Sequence, residues 1–309
     1  MIVTVTLNPS LDRTLSIPEF HPGALHRARL LRVDLGGKGV NVARALRILD
    51  LPSRILGFAG GQTGRTLRDG LLAQGFELSF IEVAGEIRQN VTLLDESTGL
   101  YTKINEQGPA IQPEHALALE KLVARTLRPG DLWALCGSLP PGAPPDLYAR
   151  LIHRIQAKQA LAFLDTSATA LREGLRAGPY ALKINTQEAG ELLGRPLEHE
   201  QAVLEAAREL LSGTTRLVML TRGALGLVLA TPAGAVIAAP PAVTAHSPIG
   251  AGDAALAGLL WAVTGQCDPT TTARRAVACG TAAAMQTGTA LGDKALIQDL
   301  LSRIEITTP

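Results

Sequence analysis

Four consecutive residues, Gly250-Ala251-Gly252-Asp253, stand directly before the apolar run from Ala254 to Val263. Glycines that open a helix leave backbone N–H groups pointing outward, and the helix dipole adds positive potential there. Such a turn is an anion hole. An aspartate on the first helical turn is placed to take a proton from a hydroxyl attacking beside the hole. The same spacing also suits an aspartate that merely caps its helix. The segment matches the dinucleotide fingerprint GxGxxA as well. That match is set aside, because it lies late in the chain, follows Pro248, and leaves too few residues for a nucleotide-binding half. A Walker A loop is absent from the sequence.

Four other segments carry polar groups at the edges of apolar runs. Gly36-Gly37-Lys38-Gly39-Val40-Asn41 supplies backbone freedom, a cation and an amide; it could equally be a helix-starting turn with a solvated lysine. Cys136-Gly137-Ser138-Leu139-Pro140-Pro141-Gly142 follows an apolar run, and its alternative is a proline-stiffened loop. Lys183-Ile184-Asn185 with Glu188 puts an amide and a carboxylate three residues apart, able to order a metal–water shell or simply to start a helix. Thr221-Arg222-Gly223 with Gly226 is a glycine-rich turn that could be a plain hairpin. Each segment is weak alone. Together they recur at the ends of expected strands, where open α/β sheets bind ligands.

The elements that must position them alternate. Strands are expected at Ile2–Leu7, Ile55–Ala59, Leu132–Cys136, Leu161–Asp165, Ala181–Ile184 and Leu217–Thr221. Helical periodicity falls at 40–49, 63–74, 113–128, 145–158, 187–193 and 199–212, and the C-terminal part is helical. Strand–helix alternation predicts an α/β fold with a mostly parallel sheet covered on both faces. Two stretches break the rhythm. Residues 11–35 show no helix, and residues 86–106 read as consecutive strands, Asn90–Leu94 and Leu100–Ile104. They predict a small β insertion standing off the main sheet, although an edge hairpin would give the same pattern.

Composition narrows the function. Of 309 residues, 46% are hydrophobic and 18% charged, enough for a core and too apolar for a disordered chain. Aromatic residues at 3% offer little base-stacking surface, and a net charge of +1 gives no global field for nucleic acid or an acidic membrane. Any anion must be held locally. Cys136, Cys267 and Cys279 are far apart and odd in number, which speaks against a disulfide framework or a zinc site and for a reducing compartment. The N-terminus lacks a secretory pattern, and the longest apolar run is about half a membrane span. A cytoplasmic location is therefore expected.

In this order, the motifs resemble the ribokinase-like sugar kinases, in the phosphofructokinase-B branch, over nearly the whole chain from Ile2 to about Asp293. The subgroup of 1-phosphofructokinases and tagatose-6-phosphate kinases is the most similar. Its T-x-N-P-x-x-D opening is Thr6 to Asp12, its GGKGxNVxR is Gly36 to Arg44, its RxN is Arg88 to Asn90, its GSLPPG is Gly137 to Gly142, and its GAGD is intact at 250–253. The resemblance implies one three-layer ribokinase-like domain over residues 1–309, with a central mostly parallel sheet and a small β-sheet lid formed by insertions at about 11–35 and 86–106.

It also implies phosphorylation of a sugar phosphate by ATP with Mg²⁺. Asp253 would be the base, and the amides of Gly250, Ala251 and Gly252 would hold the transferring phosphoryl group. Asp12, Gly37, Lys38 and Asn41 would hold the sugar. Arg27, Arg88 and Ser138, with Lys103, would grip its phosphate. Lys183, Asn185 and Glu188 would organise the ATP phosphates, Glu188 reaching Mg²⁺ through water. Thr221, Gly223 and Gly226 would line the nucleotide site, with Ala283–Thr287 against adenine. The lids of two copies would pair into a homodimer.

Three departures from the family pattern stand out: Ser247-Pro248-Ile249 before GAGD, Arg222 in the nucleotide turn, and Ile184 within K-x-N. Ser247 argues against a monovalent-cation loop like that of ribokinase. The segment Ile104-Asn105-Glu106-Gln107-Gly108-Pro109 resembles the 1-phosphofructokinases. It favours fructose 1-phosphate as substrate, with tagatose 6-phosphate and fructose 6-phosphate open.

Overall fold

Residues 2–6, Ile-Val-Thr-Val-Thr, are β-branched at every position, which restricts χ1 and favours a strand. In the computed structural model, which describes residues 1–287 and 291–309, they form the fully buried strand β1 (Ile2–Thr6). There follow β2 (Ser10–Ile17), β3 (Arg29–Gly36), α1 (Lys38–Ile48), β4 (Ser53–Ala59), α2 (Gly61–Ala73), β5 (Glu77–Glu82), β6 (Arg88–Asp95) and β7 (Tyr101–Ile104). Next come α3 (Pro113–Thr126), β8 (Leu132–Cys136), α4 (Leu147–Ala157), β9 (Leu161–Asp165), α5 (Ala168–Arg176), β10 (Ala181–Asn185), α6 (Thr186–Leu193) and α7 (Glu200–Glu209). The chain ends with β11 (Leu217–Thr221), β12 (Leu227–Thr231), β13 (Gly234–Ala239), α8 (Ala251–Thr264), α9 (Pro269–Ala284), α10 (Lys294–Arg303) and β14 (Glu305–Thr307).

Among the described residues the main sheet has ten strands, in the order β14-β13-β12-β11-β10-β9-β8-β1-β4-β5. The run from β5 to β11 is parallel, and β12, β13 and β14 add an antiparallel edge. Helices cover both faces. Val3, Val5, Trp133 and Leu135 pack under α3, α4, α5, α6 and α7, while Ile2, Ala134 and Phe163 pack under α1, α8, α9 and α10. The strands are apolar on both faces because both are covered, the usual condition of a parallel sheet.

The insertions form a second sheet of four strands, β3-β2-β6-β7. A third apolar cluster ties it to the body: Leu11 of β2 and Ile87 meet Val40 and Ala43 of α1 and Leu67 and Leu71 of α2. The expected boundaries differ from the observed ones by a few residues at most. No strand was expected at β5 or β14, no helix at α5, and no 3-10 turn at Gly223–Leu225.

Candidate active site

Parallel strands that start at one edge of the sheet must end at the other, so their carboxyl ends share an edge. Asp165 closes β9, Asn185 closes β10, Thr221 closes β11, and Gly137 and Ser138 follow β8. The N-termini of α1 and α8 contact one another's helices across this edge. Gly37, with φ +122, caps α1, and an added Cβ there would lie 2.7 Å from Thr6 Cγ2. Gly250, with φ +79, caps α8 in the left-handed region.

Asp253 lies on the first turn of α8 and is 7% exposed. Asn41 Nδ2 donates to its Oδ2 at 2.8 Å, so one oxygen is oriented by α1. Burial, and then the Asp165 carboxylate, push Asp253 up to about 6 against the pull of Lys183 and Lys38. It is therefore a partly desolvated base that ionises below neutral pH. In front of it, Ala251 N–H turns back to the Pro248 carbonyl at 3.3 Å. Of the three amides expected to hold the phosphoryl group, Ala251 is thus partly engaged in the turn. No backbone acceptor among the described residues takes the N–H of Gly250 or Gly252.

Asp165 is the residue sequence reasoning missed. It is 0% exposed and accepts from Lys38 Nζ at 2.7 Å and from Lys183 Nζ at 2.9 Å. Burial works to raise its carboxyl, but the two ammonium groups outweigh that and hold it below its ordinary value. Burial alone would lower Lys38; the Asp165 and Asp253 carboxylates reverse this and hold it above the ordinary lysine value. Lys38 was expected on the sugar and Lys183 on the nucleotide. Both are ion-paired within the protein to Asp165, the half-buried Lys38 as well as the buried Lys183, whose ammonium needs a counter-charge. Lys183 still lies beside the anion hole, since a Cβ on Gly252 would sit 2.8 Å from its Nζ.

Asn8 was also missed. Its Nδ2 donates to Gln107 O at 3.0 Å and, at 3.5 Å, to Ser138 Oγ, while its backbone carbonyl accepts from Arg88 Nε at 3.1 Å. It joins Arg88 of β6 to Ser138 of the main edge. Only its place in the T-x-N-P motif signals this. The Gly137 turn is rigid: its carbonyl accepts from Tyr148 Oη at 3.0 Å and from Thr166 Oγ1 at 2.8 Å. On the small sheet, Asp12 accepts from Ser10 Oγ and Asn90 Nδ2, both at 2.8 Å.

Several expected residues are placed otherwise. Asn185 and Glu188 form a reciprocal capping box: Asn185 Oδ1 accepts from Glu188 N at 2.8 Å, and Glu188 Oε2 accepts from Asn185 N at 2.9 Å. The orphan amides of α6 claim these groups first. Glu188 keeps its Oε1 without a protein partner among the described residues. Arg27 is exposed on the loop between β2 and β3, and Lys103 is exposed on the edge strand β7; neither makes a side-chain hydrogen bond among the described residues. Ala283 is fully buried in α9, whereas Thr287 is exposed and its carbonyl accepts from Arg32 Nη1 at 3.2 Å. In the nucleotide turn Gly223 and Gly226 have φ +59 and +81. Arg222 is turned away to Glu200, at 2.7 Å.

The strand-to-helix context of a dinucleotide fingerprint is absent at Gly250. β13 ends at Ala239, is antiparallel to its neighbours, and is separated from α8 by an irregular loop. A helix N-terminus with free amides and a desolvated carboxylate beside it, at the carboxyl edge of an α/β sheet that carries a small second sheet, is an arrangement suited to phosphoryl transfer to a hydroxyl. The chain belongs to the pfkB family of carbohydrate kinases, whose profile matches residues 6–295.

Among its relatives, a 1-phosphofructokinase from Rhodobacter capsulatus is 38% identical over 278 residues, 90% of this chain and 88% of that one. A 1-phosphofructokinase from Bacillus subtilis (strain 168) is 33% identical over 308 residues, 99% of both chains. The crystal structure of phosphofructokinase-2 from Escherichia coli in complex with potassium matches at TM-score 0.93 and 28% identity, covering 97% of this chain and 98% of that one. That protein has also been solved in a tetrameric inhibited form.

Proposed function

We propose that this kinase transfers the γ-phosphoryl group of ATP to the 6-hydroxyl of fructose 1-phosphate, giving fructose 1,6-bisphosphate and ADP. The observation that carries the reading is Asp253, oriented by Asn41 and held desolvated at the mouth of the α8 N-terminus. Asp253 takes the hydroxyl proton as the sugar oxygen attacks the γ-phosphorus, and the bond to the β–γ bridging oxygen breaks. The amides of Gly250 and Gly252, with Lys183 beside them, meet the charge on the transferring group. Positioning and charge neutralisation do most of the work in such transfers, and a general base adds about 10²–10⁴-fold.

Asp12, Gly37 and Asn41 hold the sugar. Arg88 and Ser138, linked through Asn8, face its phosphate, with Arg27 and Lys103 supplied by lid movement or by a second copy. Thr221, Gly223, Gly226 and Thr287 take the nucleotide. Among the described residues no group of three His, Cys, Asp or Glu side chains could cage a metal. Mg²⁺ is usually held by one or two carboxylates and substrate phosphates. Glu188, with one oxygen outside its capping box, would hold it through water. When bound, the ion neutralises the ATP phosphates.

The small sheet acts as the lid of a single domain and pairs with a second lid, as its exposed Leu30, Val33, Tyr101 and Ile104 suggest. No helix among the described residues is long and apolar enough to cross a membrane. Three unpaired thiols suit the cytoplasm.

The test is ADP release with Mg-ATP and fructose 1-phosphate, fructose 6-phosphate, tagatose 6-phosphate or unphosphorylated ketoses. The highest kcat/KM is expected for fructose 1-phosphate. A preference for a free sugar would refute the phosphate-holding roles of Arg88 and Ser138.

A further inference from the structure

We propose that Asp165 is a positioning residue for phosphoryl transfer: it bridges Lys38 and Lys183, holds Lys183 beside the Gly252 amide, and keeps both ammonium groups off Asp253. The proposal rests on the kinase reading above and adds a residue that none of the sequence motifs contains.

The geometry is specific. Each carboxylate oxygen of Asp165 takes one lysine, Oδ1 from Lys38 at 2.7 Å and Oδ2 from Lys183 at 2.9 Å. The two lysines come from different elements, α1 and β10, and both donate to this side chain. The anchor is rigid. Asp165 ends the interior strand β9, is 0% exposed, and its own carbonyl accepts from Gly137 N at 2.8 Å. Its pull fixes where the Lys183 ammonium lies, close to Gly252 on the first turn of α8. A phosphoryl group seated on the Gly252 amide would meet that ammonium without any rearrangement.

The second half of the role follows from the count of charges. The groups whose charge is felt at Asp253 are Asp165 from β9, Lys38 from α1 and Lys183 from β10; it in turn acts on the Cys136 thiol of β8, and Asn41 of α1 hydrogen-bonds to it. Two carboxylates thus share two lysines. Were a lysine to pair with Asp253, that carboxylate would lose basicity and an oxygen needed for the substrate hydroxyl. Asp165 saturates both lysines, so Asp253 keeps only the neutral Asn41 as its hydrogen-bond partner. Burial first, and then the Asp165 carboxylate beside it, keep Asp253 above its ordinary value.

The test is Asp165→Asn, which keeps shape and removes charge. With Mg-ATP and the best sugar phosphate, kcat should fall about 10–100-fold while the sugar KM changes less than about 3-fold, the signature of an interaction made chiefly in the transition state. In protein labelled with ¹³C at aspartate carboxyls, and assigned with Asp253→Asn, the Asp253 midpoint should drop by at least about one pH unit as the released lysines turn to it. That titration needs no turnover. Failure of the wild-type enzyme to release ADP would overturn the kinase reading separately.

If Asp165 only stabilises the fold, Asp165→Asn lowers the melting temperature and leaves the Asp253 midpoint where it was, which overturns the proposal. Should Asp165→Asn fail to fold, the double variant Asp165→Asn/Lys183→Met restores the charge balance and leaves Lys38 to pair with Asp253. A lowered midpoint in that variant supports the role; a wild-type midpoint with wild-type kcat refutes it.

Discussion

On the proposed reading a single carboxylate, Asp253, is the base, and its environment would set the pH at which it works. Asp253 is raised to about 6 by burial and by Asp165. The base acts only when ionised, so kcat/KM should climb as pH rises through about 6 and level off above it. A profile with its acid limb in the ordinary carboxylate range near pH 4 would place the base elsewhere. The sign for stability is the reverse. Between the ordinary value of 3.8 and about 6 the folded state binds more protons than the unfolded one, so this group's cost to stability grows across that window and is complete above it. The place of Asp253 on the first turn of α8 was legible in the sequence because adjacent glycines before an apolar run mark a helix start. Asp165 was not. It is a lone aspartate after an apolar run, and its partners Lys38 and Lys183 are 127 and 18 residues away. The ion pair of Lys38 was not legible either: spacing shows a cation but not the carboxylate it pairs with.

Elements carry these residues to one edge, and their packing fixes the distances. α8 crosses α9 at Gly258, where an added Cβ would lie 2.6 Å from Arg275 O and 2.8 Å from Ala276 Cα. Both neighbours are backbone, so the helices must part. Gly258→Ala is expected to cost about 1–3 kcal/mol, read as a lower melting temperature, and to reduce kcat because α8 carries the base. An unchanged melting temperature would show that the crossing tolerates the extra methyl group. The strands β8, β9 and β11 were legible to the residue, since short apolar runs bounded by polar ends have few other readings. α5 escaped notice because it buries only Ala170, Leu171 and Gly174, a face too small to give a periodic signal. β5 escaped because it is an edge strand with exposed glutamates at both ends.

At the scale of the whole molecule, the small sheet is joined to the body through one compact cluster around Leu11, Val40 and Leu67. Arg32 of β3 also reaches the Thr287 carbonyl, so the lid touches the segment expected near the nucleotide. The outer face of the sheet leaves Val33 and Ile104 about half exposed. Register places Val33 and Val91 against Arg13, and Ile104 against Val91, on one face of three adjoining strand pairs. If the proposed lid-to-lid dimer forms, Val33→Glu with Ile104→Glu should convert it into monomers by light scattering; a dimer that survives both changes would pair elsewhere. The insertions were legible as strands because two stretches broke the strand–helix rhythm, while the pairing of β2 parallel to β6 was not, since it joins segments 78 residues apart.

The most direct measurement is the rate of ADP release by Asp253→Asn beside the wild-type enzyme, with Mg-ATP and fructose 1-phosphate. Loss of the base predicts a kcat lower by about 10²–10⁴-fold, with the sugar KM within a few-fold of wild type. Turnover within a few-fold of wild type would contradict the assignment of Asp253 as the base.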